Sequence, residues 1–171
     1  MVYRTRTYIA ADWENDKDAV NKLIQWNDSA YYKLSFTDAH DLTQSRDTSN
    51  NCNIKRSLAT RLDASKRFVL IVGENTKTVR SGSCQYCISK NSYNGACMRG
   101  NTVDNRSYIE YECEKAIRDG LEIIVLYKSY YINRDKCPAA VRNAGVHIPL
   151  YTISNGQGVW NYTDVKTAFG Q

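Results

Sequence analysis

Residues 105–127, NRSYIEYECEKAIRDGLEIIVLY, decide how the rest of the chain is read. Ile109, Cys113, Ala116 and Ile117 recur at steps of three and four, which predicts a helix whose core stripe carries these four residues. Glu110, Glu114 and Arg118 point away from that stripe, and Glu112 lies on its edge. Tyr108 sits one turn earlier on the same side, so an aromatic ring and a carboxylate can line one wall. Gly120 ends the helix, and LEIIVLY follows at once as a buried strand. Acidic residues in a first turn also favour the positive end of the helix dipole, so Glu110, Glu112 and Glu114 have a second reading as stabilisers of the helix and of solubility.

Working outward, the other strands are apolar runs joined by polar loops and helices. Arg6–Ala11 is a first strand, followed by the polar loop Asp12–Asp16 and a helix over 17–26. Tyr32–Phe36 reads as a second strand, and Thr37–Asn51 as a long polar loop containing His40, long enough to be functional. A helix over 53–64 carries Ile54, Leu58 and Leu62 at steps of four. RFVLIV at 67–72 is apolar throughout and predicts the centre of the sheet, covered on both faces. After 121–127 come a short helix over 138–143, a last strand over 146–153 and a closing helix over 159–169. This alternation predicts an α/β, flavodoxin-like three-layer fold with a parallel sheet of about five strands and helices on both faces. Ligands of such folds sit beyond the carboxyl ends of the strands, which gathers the 12–16 loop, the 38–51 loop, GENTKT at 73–78 and the Tyr108 turn around one cleft.

With 171 residues, the expectation is a single domain spanning 1–171, interrupted at about 79–104 by an insertion rich in Gly, Ser and Asn that carries three cysteines. The 23 basic residues are scattered among 18 acidic ones, for a net charge of +5, which argues against nucleic acid as a partner. No apolar run approaches the length of a membrane span and no leader is evident, so the expected setting is cytoplasmic, with six cysteines that need form no disulfide. Cys84 and Cys87 have knuckle spacing and Cys97 could supply a third ligand, with Asp104, a histidine or another cysteine as a fourth. A second pair that would make this a strong zinc signature is missing, and free thiols in a loop are the competing reading. Cys113 reads as a small core residue and His147 as a hydrogen-bonded structural one. The tyrosine pairs Tyr31–Tyr32 and Tyr130–Tyr131 read as half-buried surface packing.

Several chemistries are excluded by what stands at the strand ends. No GxGxxG or P-loop pattern follows the first strand, Gly73 and Glu74 occupy the place where a receiver domain needs its phosphoacceptor aspartate, and neither histidine is joined by a nucleophile elbow. A lone carboxylate in a nucleotide-sized cleft suits cleavage of an N-glycosidic bond, where the leaving group departs readily and the enzyme stabilises an oxocarbenium-like centre.

Three stretches, YIAADWENDKDAV at 8–20, FVLIVGENTKT at 68–78 and SYIEYECEKAI at 107–117, resemble bacterial TIR-like domains of the Thoeris anti-phage defence type. The resemblance implies Glu112 as the catalytic glutamate, four positions after the aromatic Tyr108, where tryptophan is more usual. It implies an enzyme that needs no cofactor, cleaves the nicotinamide–ribose bond of NAD and makes an ADP-ribose-derived cyclic or conjugated signalling nucleotide, sensed by a separate effector protein. It further implies homotypic self-association and a nucleotide site bordered by Ala10, Asp12, Trp13, Asp16, His40 and Tyr108, with Ala10 and Ala11 replacing the family's usual serine and aromatic residue. The alternatives are a non-catalytic assembly module of the same fold, and a hydrolase or transferase acting on another nucleoside or nucleotide.

Overall fold

The fold is that of a computed structural model of the chain, which describes residues 3–39 and 50–171. Four parallel strands, β1 (Arg6–Ala10), β2 (Ser65–Val72), β3 (Glu122–Tyr127) and β4 (Val146–Pro149), lie side by side in that order. Side chains alternate between two cores, as period-two strands require. Tyr8, Ala10, Phe68, Leu70, Val125 and Tyr127 face helices α2 (Asn51–Asp63) and α3 (Tyr108–Arg118). Ile9, Val69, Ile71, Ile124 and Leu126 face α1 (Lys17–Asp28) and α4 (Tyr162–Ala168). Burial of β2 on both faces matches the reading of RFVLIV as the sheet's centre.

The second expected strand does not form. Lys33 and Ser35 take left-handed backbone conformations (φ 49° and 42°) that interrupt an extended run, and the Phe36 amide donates to Asn27 Oδ1 instead of to a strand. What remains beside β1 among the described residues is a single parallel bridge between Thr7 and Asp38. The chain thus leaves β1 on one side and returns through α2 to pair β2 on the other, so the direction of winding reverses between β1 and β2. A crevice opens where winding reverses.

The expected last strand is two. Leu150 turns inward and its amide donates to Tyr127 O, separating β4 from β5 (Tyr151–Ser154), which pairs antiparallel with β6 (Gln157–Trp160). Asn155 and Gly156, both at positive φ, make the turn between them, so the closing helix starts at Tyr162 rather than 159. A 3-10 turn at Ala139–Val141 stands where a short helix was expected. Tyr31 and Tyr131 are more exposed than expected, whereas Tyr32, edge-on to Tyr162, and Tyr130, tilted against Tyr151, keep the expected surface packing. No described helix is long and apolar enough to cross a membrane.

Helix α3 has well-defined ends. Ser107 Oγ accepts from the Glu110 amide (3.1 Å) while Glu110 Oε2 accepts from the Ser107 amide (2.8 Å), a reciprocal capping box. At the other end, the Leu121 amide donates to Ala116 O and the Gly120 amide to Ile117 O, with Gly120 at φ 68°, a Schellman motif. The helix is rolled relative to the expected stripe: Ile117 is 39% exposed, whereas Glu112 and Lys115 are buried. Lys115 reaches Asp63 and Asp119, each at 2.6 Å, so its charge is paired.

Candidate active site

The roll of α3 carries Glu112 inward from the edge of the stripe to 6% exposure. Its Oε1 accepts a hydrogen bond of 2.5 Å from the hydroxyl of Tyr8, which stands on the facing side of β1 and is itself fully buried. Burial raises the Glu112 carboxyl to about 7, while the Tyr8 hydrogen bond and the nearby Arg61 guanidinium pull the other way. Burial, reinforced by the Glu112 charge, lifts the Tyr8 phenol well above its ordinary value, so it acts as a donor at all physiological pH. The neighbouring glutamates are otherwise engaged. Glu110 closes the capping box and meets Arg80 at 3.2 Å, and Glu114 meets Arg106 at 2.6 Å. The helix-stabilising reading therefore describes Glu110 and Glu114, and not Glu112.

Tyr8 and Glu112 line a cleft of about 780 Å³, within the size range of small-molecule sites. The loop after β1 contributes Ala11, Asp12, Trp13, Glu14 and Asn15; α2 contributes Ile54, Leu58 and Arg61; Asn75, Thr78, Val79 and Ser81 come from the segment after β2; and α3 adds Tyr108 and Ile109. Asp12 shapes the first loop by accepting from the Glu14 amide (3.2 Å) and from Asn15 Nδ2 (2.7 Å). Trp13 is 45% exposed, leaving one part of the indole to the cleft and another to solvent.

Tyr108 is held from two sides. Its ring lies against Gly82, and its hydroxyl donates to Asn51 Oδ1 at 3.1 Å. Burial, with the Cys87, Cys52 and Cys84 thiols nearby, pushes the phenol up to about 12.

Of the residues expected at the site, Asp12, Trp13, Tyr108 and Glu112 come together. Ala10 and Asp16 do not. Ala10 is buried in the core facing α2 and α3, and Ala11 reaches the cleft instead. Asp16 is buried at the start of α1 against Gly73, 3.6 Å from Lys128, and burial raises its carboxyl. His40 lies outside the described residues. Tyr8 and Arg61 were not expected, although period-two alternation in a first strand of known face would have turned Tyr8 towards α3.

The cysteine-bearing segment packs beside this site. Lys55 Nζ donates to Arg106 O (2.7 Å) and Asp104 O (3.2 Å) and pairs with Asp104 Oδ2 (3.2 Å), tying the segment to α2. Burial works against the Asp104 charge, but hydrogen bonds from Arg106 and Lys55 outweigh it and bring the carboxyl down to about 2, so this carboxylate is already engaged and is a poor fourth zinc ligand. Cys84, Cys87 and Cys97 border one small apolar pocket, and these and Cys52, Cys113 and Cys137 are free thiols. Among the described residues no group of three or more His, Cys, Asp or Glu is placed to hold a metal ion. His147 is structural: its Nδ1 lies 2.9 Å from the Tyr127 hydroxyl and its Nε2 3.1 Å from Ala144 O.

No curated protein matches the chain. Residues 8–82 match the family described as Thoeris protein ThsB, TIR-like domain. The match begins at Tyr8 and takes in the first loop, α2, β2 and Gly82, and it stops short of α3.

Proposed function

We propose that this chain, whose residues 8–82 match the TIR-like domain of Thoeris protein ThsB, is an enzyme that cleaves the nicotinamide–ribose bond of NAD, with Glu112 as the catalytic residue. The observation that carries this reading is the standing of Glu112 among its neighbours. Glu110 closes the helix cap and Glu114 meets Arg106, whereas Glu112 accepts from Tyr8 and is buried in the wall of a nucleotide-sized cleft. On this reading residues 1–171 form one flavodoxin-like domain. The segment around Asp38 holds the outer sheet position, and about 79–104 form an insertion.

The chemistry asks little beyond electrostatics and position. As the bond between ribose C1′ and the pyridinium nitrogen breaks, its electron pair passes to the nitrogen, nicotinamide leaves neutral, and positive charge develops on the ribose. A carboxylate fixed beside that carbon stabilises the developing charge where water is excluded. Glu112 then accepts the proton of the incoming nucleophile, water for hydrolysis or a group of the nucleotide itself for cyclisation. Trp13 offers a flat face for a ring, and Tyr108 and Asp12 line the same cleft. No cofactor is needed. The ADP-ribose product, cyclic or conjugated, serves as a signalling nucleotide for a separate effector, from a cytoplasmic enzyme that self-associates.

Mass spectrometry of the small molecules formed from NAD tests activity and product together. Nicotinamide release by the purified chain, lost in Glu112→Gln, is the expected result. A folded Glu112→Gln variant releasing nicotinamide at the wild-type rate overturns the site. Absence of turnover and of nucleotide binding, together with tight homotypic association, points instead to a non-catalytic assembly module. Turnover of another nucleotide but not NAD redirects the substrate.

A further inference from the structure

Packing does not require the hydroxyl of Tyr8. Its partner in the parallel register of β1 and β2 is Phe68, and the two rings stack 5.9 Å apart at 17°, so the same layer accepts a ring without a polar tip. A buried hydroxyl costs desolvation unless it is hydrogen-bonded, and this one is directed at Glu112 Oε1.

We propose that Tyr8 is a positioning residue for Glu112: its hydroxyl clamps Oε1 against β1 and leaves Oε2 as the oxygen presented to the substrate. A carboxylate held through one oxygen loses its freedom to rotate, which fixes where the other points before the substrate arrives. The groups around the pair come from each packed element. Tyr8 acts on Glu112 from β1 and Arg61 acts on it from α2, Asp38 acts on Tyr8 from the segment after α1, Asp12 lines the same cleft, and Cys113 adjoins on α3. Of these, the Tyr8 hydrogen bond and the Arg61 charge favour the ionised carboxylate against burial. The catalytic consequence rests on the NAD-cleaving reading above. The hydrogen bond and its effect on Glu112 do not.

The test is Tyr8→Phe in the full chain, with two readouts. The first is titration of the Glu112 carboxyl by ¹³C NMR, its signal assigned by its loss in Glu112→Gln. Losing a hydrogen bond to a charged group moves that titration upward by about one pH unit. The second is steady-state nicotinamide release, in which kcat falls about tenfold while KM changes by less than about threefold, as expected for lost orientation. An unchanged Glu112 titration in folded Tyr8→Phe overturns the proposal. If Tyr8→Phe does not fold, 3-fluorotyrosine placed at position 8, a stronger donor of nearly the same shape, moves the titration downward, and absence of movement is equally decisive. Titration needs no turnover, so a wild-type chain inert towards NAD removes the enzymatic reading while the role of Tyr8 is still decided.

Discussion

Gly82 lies so close to Tyr108 that a Cβ on it would stand 2.4 Å from the Cδ1 of the ring. Gly82 also sits at φ 93°, where a side chain is strained whatever the space. Gly82→Ala therefore displaces Tyr108 from the cleft wall and costs about 1–3 kcal/mol of stability. Thermal unfolding measures the cost, and weaker nucleotide binding than in Tyr108→Phe, which keeps the ring, identifies the displacement.

Glu112→Gln is expected to stabilise the protein in mild alkali. The folded carboxyl titrates at about 7, above its ordinary 4.5, so the native state holds this proton more tightly than the unfolded chain. Its contribution is fully present below about 4.5 and is lost as pH rises through about 7, at a cost of about 3 kcal/mol. Denaturant unfolding at pH 8 should favour Glu112→Gln by an amount approaching that figure, with the advantage shrinking towards pH 5. Equal stability of the two proteins at pH 8 contradicts the burial of this charge.

Lys55→Met keeps the apolar stem and removes the amine that binds Asp104 and Arg106. The expected loss is about 2–4 kcal/mol, since the Asp104 side chain and two carbonyls lose a partner. Faster limited proteolysis within residues 79–104, with hydrogen exchange of β2 and β3 unchanged, is the pattern that separates local release from global unfolding.

Gly73 and Asp16 form a second steric pair, because a Cβ at position 73 would meet Asp16 Oδ1 at 2.2 Å. Gly73→Ala alone is destabilising. Combined with Asp16→Ala it recovers part of the loss, and a double-mutant cycle by chemical denaturation should give a coupling of about 1 kcal/mol or more. Simple additivity contradicts the contact.

The β2 and β3 strands and the start and stop of α3 were legible because each has a local cause: continuous apolar runs, a Ser-x-x-Glu cap and a glycine stop. The strand expected at 32–36 failed because left-handed turns at Lys33 and Ser35 leave no mark in the pattern of apolar residues. The β5–β6 hairpin did leave one, the Asn155–Gly156 pair, which an unbroken strand over 146–153 obscured. At the site, helical spacing placed Tyr108 and Glu112 on one side but set Glu112 at an edge, since the roll of α3 is set by contacts with other elements, such as that of Lys115 with Asp63 on α2, which spacing within the helix does not carry. Tyr8 was hidden for a similar reason: its significance lies in an oxygen 104 residues away along the chain.

The capping box at Ser107 couples the two cleft residues of α3 unequally to the segment before them. Because residues 107–110 fix the start of the helix among themselves, the segment before them can lengthen, shorten or change composition and Glu112 keeps its place in the helical register. Tyr108 has no such independence, since its ring is seated on Gly82, inside that preceding segment. A change made in the cysteine-bearing stretch thus reaches the cleft through Tyr108, while the capping box holds Glu112 in its helical register.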